Sequence, residues 1–281
     1  MRVVTTRQEL DAVLRAEPHC VLVPTMGALH AGHASLVHQG TVLADRHGYP
    51  GGCIVSLFVN PSQFNEQADY QRYPKTLDPD VAMCSANGAR CVFAPGVEVV
   101  YPPKERIVVP PLPEQATRPG LEDRVRPGHF EGVCQVVLRL FQLIQPRAAV
   151  FGEKDWQQLQ VVEAMTREQG LAIEIVAGET VREASGLAMS SRNRFLSTEE
   201  RERALAFVRA LRISCDAGTP LAAEAAMARE LGSSGISPDY AVVRDAETLL
   251  EPTAGRPKRA LIAGRVGAVR LLDNAAWPAS E

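Results

Sequence analysis

The stretch CVLVPTMGALHAGHASLV, residues 20–37, decides the fold of this 281-residue chain. Its first five residues are mainly apolar, which favours a strand that is buried on both faces of a sheet. A turn that contains Gly27 follows, and we expect a helix to begin near Gly32. A strand, a turn and a helix in this order form the first half of a crossover unit, the connection that joins parallel strands.

Similar apolar segments recur along the first two-thirds of the chain, at 53–59, 91–95, 148–152 and 172–177. Segments with helical spacing lie between them. The clearest is 131–145, where apolar residues line one face of a helix and Pro146 ends the pattern. Strands that alternate with helices predict an α/β fold, and we expect a Rossmann-like doubly wound parallel sheet over residues 1–180.

The last hundred or so residues show a different pattern. A Ser–Thr pair followed by glutamate at 197–200 predicts the start of a helix, and a second helix is expected over 220–231. Strand candidates follow at 239–243, 259–264 and 267–272. We therefore predict a smaller α+β domain over residues 181–281, which would act as a lid.

Composition disfavours several classes of protein. The net charge of −3 gives no strong basic field, so we expect no nucleic-acid partner. No apolar run approaches the roughly 18–20 residues of a membrane span, and the first residues lack the apolar centre of a signal peptide. Six cysteines without a CxxC pair favour buried, reduced thiols. We expect a cytoplasmic protein with no membrane partner.

Phosphate chemistry is indicated where the helix after the first strand begins. A helix N-terminus presents unpaired N–H groups and favours anions. His30 and His33 lie three residues apart and would face one side, where they could donate hydrogen bonds to phosphate oxygens. The same spacing fits two structural histidines or a metal pair, although the glutamate of a zincin helix is absent.

Two further polar segments follow predicted strands or turns. Asn60 and Gln63 come after the second strand, and ligands of open α/β sheets bind outside the carboxyl ends of strands. An ordinary Asn-Pro turn is the alternative. His129 lies in a Gly–His turn before the predicted helix 131–145, where it would either contact a ligand or cap and pack.

Two more segments carry groups that suit phosphates. Lys154 follows a strand end and could meet phosphate oxygens, although a Lys–Asp pair with Asp155 also fits a solvated helix cap. Ser190, Ser191 and Arg192 could wrap phosphates through hydroxyl groups and a guanidinium fork. A flexible polar loop is the alternative, and such a loop is also well placed to close over a ligand.

Taken together and in order, these segments resemble the pantothenate synthetase family, the pantoate–β-alanine ligases. The matching motifs are PTMGALHAGH (24–33), FVNPSQF (58–64), YPKTLDPD (73–80), RPGHFEGV (126–133), FGEKDWQQL (151–159) and GLAMSSRNRFLS (186–197). Shorter segments that also resemble the family are DYAVV (239–243), LIAGRVG (261–267) and RLLDN (270–274). His30 to His33 also resemble the HIGH signature of nucleotidyltransferases, which alone would indicate only adenylyl transfer. The resemblance covers essentially the whole chain.

The resemblance implies ATP-dependent condensation of pantoate with β-alanine to pantothenate, AMP and pyrophosphate, through a pantoyl adenylate, with Mg²⁺ and in a homodimer. Catalytic roles are implied for His33, His30, Lys154 and Arg192, with His33 at the proton-donor position. Gln63 matches a position that contacts both pantoate and β-alanine, and Gln158 matches a second pantoate contact. Asn60 is implied as a neighbour of the site, and Asp80 matches an acidic position near the magnesium and phosphates. ATP binding is implied for Met26, Gly27, His30, His33, Gly152, Glu153, Lys154, Asp155, Val181, Met189, Ser190, Ser191 and Arg192.

The chain departs from the family's pattern in a few places. It has Ser185 where the family commonly has aspartate, which bears on how the 186–197 loop closes, and Trp156 where tyrosine is usual. Two other interpretations remain open at this point. One is an adenylyltransferase that makes no amide; the other is a non-catalytic nucleotide-binding protein, which would be expected to lose His33, Lys154 or Arg192.

Overall fold

The computed structural model describes residues 1–63, 70 and 76–278. Its strands are β1 (Arg2–Val4), β2 (Val21–Thr25), β3 (Cys53–Leu57), β4 (Cys91–Phe93), β5 (Ala148–Gly152), β6 (Glu174–Gly178), β7 (Pro238–Asp245), β8 (Lys258–Val266) and β9 (Val269–Trp277). Its α-helices are α1 (Arg7–Ala16), α2 (Ala31–Arg46), α3 (Leu77–Ala86), α4 (Val97–Val100), α5 (Glu122–Val125), α6 (His129–Ile144), α7 (Trp156–Glu168), α8 (Thr198–Cys215) and α9 (Pro220–Ser233).

Two sheets organise the described residues. Six parallel strands form one sheet in the order β1-β4-β3-β2-β5-β6, and β7, β8 and β9 form an antiparallel sheet. This confirms the predicted α/β class, with a Rossmann-like parallel sheet and a smaller α+β part. Strand β1 was not predicted, because only Val4 of its three residues is buried and so short a segment carries no periodic signal.

Helix α2 packs against β2, β3 and β5, with Val37 and Ala44 in a buried cluster that includes Val21, Val23 and Val55. Buried strands with apolar residues on both faces are typical of parallel sheets whose faces are covered by helices. Helix α6 begins at His129, two residues before the predicted start, and helix α8 has the predicted Ser197 cap.

The order of the strands places a topological switch point between β2 and β5. From β2 the chain continues to β3 and β4 on one side, and it returns to β5 and β6 on the other. Ligands of open α/β sheets bind at such a point, outside the carboxyl ends of the strands. The turn after β2 and Gly152 at the end of β5 therefore stand where this rule expects a ligand.

The described chain divides into two compact units. The first contains residues 1–113, 126–153 and 161–179, and the second contains 114–125, 154–160 and 180–281. The predicted boundary divides the chain once, near residue 180. In the structure, segments 114–125 and 154–160 come before this point but pack with the later residues. The division into 1–180 and 181–281 stays a prediction.

Hydrogen bonds explain why these two segments pack with the later residues. Arg270 donates to both oxygens of Glu122, at 2.9 and 2.6 Å, and the Tyr240 hydroxyl donates to Glu122 at 2.8 Å. The Trp156 indole N–H donates to the carbonyl of Ala246 at 2.8 Å. Partners this far apart in sequence leave no local pattern from which the packing could be read.

The cysteines, all of which lie in described residues, are free thiols, and five are buried while Cys215 is exposed. The expectation of buried thiols therefore fails for Cys215. Burial raises the pKa of Cys53 to about 12, so this thiol stays protonated near neutral pH. Among the described helices, none is long and apolar enough to cross a bilayer.

Candidate active site

The predicted residues fall into two groups, one in each unit. The first unit carries Met26, Gly27, His30, His33, Asn60, Gln63, Asp80, Gly152 and Glu153, and the second carries Lys154, Asp155, Gln158, Val181, Met189, Ser190, Ser191 and Arg192.

The turn after β2 is held by a buried carboxylate. Gly27 and Ala28 have φ angles of 80° and 52°, in the left-handed region that costs most residues about 1–2 kcal/mol. Asp80 of α3 accepts hydrogen bonds from the backbone N–H groups of Ala28 and Leu29, at 2.9 and 2.8 Å. The Thr76 hydroxyl donates to the same carboxylate at 3.1 Å. A side chain remote in sequence therefore fixes the conformation of the predicted ATP-binding turn.

His30 and His33 form a reciprocal cap at the N-terminus of α2. His30 Nδ1 accepts from the N–H of Gly32 at 3.1 Å, and His33 Nδ1 accepts from the N–H of His30 at 3.3 Å. Their ring centroids are 4.1 Å apart. A ring nitrogen that accepts a hydrogen bond carries no proton, so in each neutral imidazole the proton is on Nε2. Both histidines are thus arranged as Nε2–H donors beside a positive helix end.

Asn60 organises the turn that carries Gln63. Its amide donates to the carbonyl of Gly132 at 3.0 Å, and its oxygen accepts from the hydroxyls of Ser62 and Tyr101, each at 3.0 Å. The N–H of Gln63 donates to the carbonyl of Asn60 at 3.2 Å. Asn60 is fully buried, so these contacts fix the conformation of the Pro61–Gln63 turn.

His129 is the first residue of α6 and is buried beside Arg126, whose guanidinium lies 3.0 Å from His129 Nε2. The capping residue before it, Gly128, has a φ of 80°. The capping residue is therefore Gly128 and not His129, and of the interpretations offered for His129 the structure supports its packing at the start of α6.

A cavity of about 330 Å³ opens at the carboxyl ends of β2, β3 and β4. Met26, Gly27 and Asp80 line it, together with Phe58 and Thr76. Cavities that hold small molecules measure roughly 300–1,000 Å³, are mostly apolar and carry a few polar groups. The turn after β2 therefore borders a space of suitable size for part of a ligand.

In the second unit, Lys154 and Asp155 belong to a short 3₁₀ helix before α7, with Lys154 Nζ 3.6 Å from a carboxylate oxygen of Asp155. Gln158 lies in the first turns of α7. Its neighbour Gln157 is buried and has a different function. It accepts from the N–H of Glu122 at 2.9 Å and donates to the carbonyl of Gln115 at 2.9 Å, which fastens segment 114–125.

A short hairpin presents the serine–arginine loop. The N–H of Met189 donates to the carbonyl of Val181 at 2.9 Å, and Arg182 pairs with Ala188. The turn ends at Gly186, whose φ is 90°. Val181 and Met189 are therefore cross-strand neighbours, and the three residues after Met189 continue directly from this paired segment.

Asn193 supports the loop from within. Its amide donates to Glu183 at 2.8 Å and to the carbonyl of Ala188 at 3.0 Å. Arg201 donates to Glu183 at 2.6 Å and to the carbonyl of Asn193 at 3.0 Å. Ser190 caps the following 3₁₀ helix by accepting from the N–H of Arg192 at 3.2 Å. Hydrogen bonds from Asn193 and Arg201 thus hold the loop against the hairpin and helix α8.

The donor set for a metal is small. Within the described residues, no group of three or more histidine, cysteine or carboxylate side chains is placed to hold an ion. Asp80 already accepts three hydrogen bonds, of the roughly four that a carboxylate can take. A role for Asp80 beside magnesium stays a prediction.

Comparison with known proteins decides the family. The family model described as "Pantoate-beta-alanine ligase" matches residues 2–276. The chain belongs to this family. A pantothenate synthetase from Nocardioides sp. is 46% identical over 279 residues, which cover 96% of this chain and 83% of the relative. A pantothenate synthetase from Myxococcus xanthus is 44% identical, with 98% of this chain and 94% of the relative covered.

Solved structures agree with this assignment. The pantothenate synthetase of Thermus thermophilus matches with a TM-score of 0.87 at 41% identity, over 99% of this chain and all of that chain. The pantoate-beta-alanine ligase of Francisella tularensis matches with a TM-score of 0.80 at 30% identity, over 98% of this chain and 97% of that chain. That protein was crystallised with beta-gamma ATP and beta-alanine.

For this member of the pantoate–β-alanine ligase family, local sequence patterns do not indicate the supporting contacts of Asn193 and Gln157. The same holds for the contacts of Asp273 and Asn274 in the RLLDN motif. Tyr73, Pro74 and Lys75 of YPKTLDPD and Phe64 of FVNPSQF lie outside the described residues.

Proposed function

We propose that this chain joins pantoate to β-alanine in pantothenate synthesis through an enzyme-held pantoyl adenylate that is formed from ATP. The ligation itself follows from membership of the pantoate–β-alanine ligase family, because that family is defined by this reaction. The adenylate intermediate, the residue roles and the metal ion are inferred below from the site and from the sequence motifs.

The observation that carries the proposal is the arrangement of His30 and His33. They cap the helix that follows β2, at the switch point of the parallel sheet, and the cap selects the tautomer whose donor is Nε2–H. A helix N-terminus with two added donors favours a bound phosphate group and stabilises charge that grows on it.

In the first proposed step, the pantoate carboxylate attacks the α-phosphorus of ATP and pyrophosphate leaves. A carboxylate is already ionised at neutral pH, so the step needs no general base. Its barrier lies in the negative charge on the phosphoryl oxygens and on the leaving group. The residues proposed to stabilise this charge are His30, His33, Lys154, Ser190, Ser191 and Arg192, by position and electrostatics.

Mg²⁺ is proposed to enter with ATP, where it would neutralise charge on the phosphate oxygens. Asp80 is the residue proposed to lie near this ion, because its three hydrogen bonds leave about one acceptor position on the carboxylate. That position suits a water molecule in the hydration shell of the ion.

Gln63 and Gln158 are proposed to orient pantoate through their side-chain amides. In the second step, the amine of β-alanine attacks the acyl adenylate, the amide bond forms and AMP leaves. The mixed anhydride would hydrolyse in open water, so the site must exclude water during this step. The loop 186–197 is the proposed closing element, and Ser185, in the hairpin turn before it, can form such a turn as aspartate does.

We also propose that the enzyme acts in the cytoplasm as a homodimer. Free thiols, five of them buried, suit a reducing compartment. The homodimer is implied by the sequence resemblance, and light scattering on the purified protein would test it.

The experiment is to incubate the protein with ATP, Mg²⁺ and pantoate, with and without β-alanine, and to follow AMP, pyrophosphate and pantothenate by mass spectrometry. Equal amounts of AMP and pantothenate, formed only with β-alanine, are expected. Exchange of labelled pyrophosphate into ATP, dependent on pantoate alone, would support the adenylate. Pantothenate made without any such exchange, and without trapped adenylate, would overturn it.

His33→Ala tests the donor assignment. We expect a loss of turnover of about 10²–10³-fold, the usual cost of removing one donor to a charged transition state. His38→Ala is the matched control, because His38 is exposed on the same helix. Equal turnover in the two variants would remove His33 from the mechanism.

A further inference from the structure

Strand β9 carries two adjacent buried polar residues near its middle, Asp273 and Asn274, which are only 2% and 3% exposed. They are the last two residues of the RLLDN motif (270–274), which has no function in the proposed mechanism. Each is paired in the ladder with an apolar residue of β8, Ile262 and Leu261 respectively. Buried polar groups are costly unless their partners repay the lost hydration, so their contacts need an explanation.

Asp273 holds the hairpin that presents the serine–arginine loop. Its two carboxylate oxygens accept from the guanidinium of Arg182 at 2.7 and 3.0 Å, a bidentate pair. Arg182 also donates to the carbonyl of Gly186 at 3.1 Å and pairs in the hairpin with Ala188. The carboxylate is therefore connected through the Arg182 side chain to the first strand and the turn of the hairpin that leads into Ser190–Arg192.

Asn274 holds the segment that carries Lys154. Its amide donates to the carbonyl of Lys154 at 2.8 Å, and its oxygen accepts from Arg259 Nε at 2.5 Å. The guanidinium of Arg259 in turn lies 3.5 Å from the centre of the Trp156 ring, a cation–π contact. Asn274 thus fixes the backbone of Lys154 directly, and it supports Trp156 through Arg259.

The two residues are also joined to each other, because the N–H of Asn274 donates to a carboxylate oxygen of Asp273 at 2.8 Å. Successive residues of a strand rise by only about 3.3 Å and direct their side chains to opposite faces. Two consecutive residues of one strand therefore hold two segments that lie far apart in sequence, the hairpin at 181–189 and the segment that contains Lys154.

We propose that Asp273 and Asn274 form a positioning pair that sets the placement of Lys154 relative to Ser190, Ser191 and Arg192. The proposal rests on the proposed phosphate-binding function of those residues. Neither member of the pair contacts ATP; each acts through the backbone or the arginine that it holds. A pair of apolar side chains would fill the same space but would fix neither segment, and it would remove acceptors from the guanidinium groups of Arg182 and of the buried Arg259.

Asn274→Asp is the sharpest test. The substitution keeps the shape and the acceptor for Arg259, but it replaces the donor to Lys154 with an oxygen that repels the carbonyl. We expect kcat/KM for ATP to fall about 10- to 100-fold, since small displacements of phosphate-binding groups have effects of this size. KM for β-alanine should stay near that of the wild type.

Asp273→Asn tests the other half of the pair. The substitution weakens the contact with Arg182, but the remaining side-chain oxygen can still accept a hydrogen bond from the backbone N–H of Asn274. Amide hydrogen exchange is expected to quicken at 182–192 in Asp273→Asn and at 153–156 in Asn274→Asp. Glu224→Gln is the matched control, because Glu224 accepts from Arg244 at 2.8 Å in the same unit. Its ATP kinetics should remain those of the wild type.

Failure of the proposed ligation activity and failure of the Asp273–Asn274 pair would give different results. A wild-type protein without ligation activity would refute the proposed function, and the exchange measurement would still report on the pair. Wild-type exchange at both segments together with wild-type kcat/KM for ATP in Asn274→Asp would overturn the pair. Equal losses in Glu224→Gln and the two variants would also overturn it, because general destabilisation would then explain the effect.

Discussion

Replacing Asp80 with asparagine should loosen the turn after β2, which is predicted to bind ATP. The carboxylate accepts from two backbone N–H groups, those of Ala28 and Leu29, and it is 4% exposed. Asparagine has one oxygen, so one of these N–H groups would face an amide N–H. A hydrogen bond to a charged acceptor contributes about 1.5–3 kcal/mol, and an unsatisfied buried donor costs about 1–3 kcal/mol. We therefore expect Asp80→Asn to lower the free energy of unfolding by about 2–4 kcal/mol.

Thermal unfolding measures this loss, which should lower Tm by roughly 5–10 °C in a protein of this size. Asp78→Asn is the matched control, because Asp78 lies in the same helix and is exposed. Adding Ala28→Gly to Asp80→Asn should restore about 1 kcal/mol, since glycine adopts the φ of 52° without strain.

Titration with ATP should show weaker binding by Asp80→Asn than by Asp78→Asn. Unchanged Tm and unchanged ATP affinity would refute the claim that Asp80 holds the turn. An unchanged Tm with a raised Mg²⁺ requirement would instead favour the predicted position of Asp80 beside the metal ion.

Two other perturbations follow from the packing and the charges. Gly132→Ala would place a Cβ 2.5 Å from the carbonyl of Ser62, so we expect the 61–63 turn to shift and KM for pantoate to rise about tenfold. Gly218→Ala, which meets open space among the described residues, is the control, and equal KM values would contradict the argument. Burial acts to raise the pKa of Asp245, but hydrogen bonds from Thr248 and the backbone outweigh it and lower the pKa below its ordinary value. This stabilisation is present above the unfolded pKa of about 3.9 and is lost as the pH falls through the folded pKa. The stability difference between wild type and Asp245→Asn should therefore shrink below about pH 4 in urea unfolding, and a constant difference would contradict it.

The parallel sheet could be predicted because its signal is local. The strands β2, β3 and β5 are continuous apolar runs, and the amphipathic face of α6 spans four turns. These elements alone predict a parallel sheet with a candidate phosphate-binding turn at 26–33, whereas the strand order, and with it the switch point, comes from the structure. The three-residue strand β1 lies below the length at which periodicity can be recognised.

The supporting contacts could not be predicted, because their partners are remote in sequence. Asp80 reaches Ala28 across 52 residues, and Asn274 reaches Lys154 across 120. Neither spacing has a periodic signature, and an acidic residue at a helix start predicts only a favourable interaction with the helix dipole. Motifs predict which residues take part in the chemistry, whereas the structure shows which atoms the supporting residues hold.

The cap at α2 illustrates why the identity of a residue and its chemistry are linked here. A serine or aspartate at position 30 would cap the helix equally well, because the cap needs only an acceptor for the N–H of Gly32. It would leave no donor for a phosphate oxygen. An imidazole accepts with one nitrogen and donates with the other, and the cap itself decides which nitrogen holds the proton. The same hydrogen bonds that begin the helix therefore prepare His30 and His33 for the chemistry proposed for them.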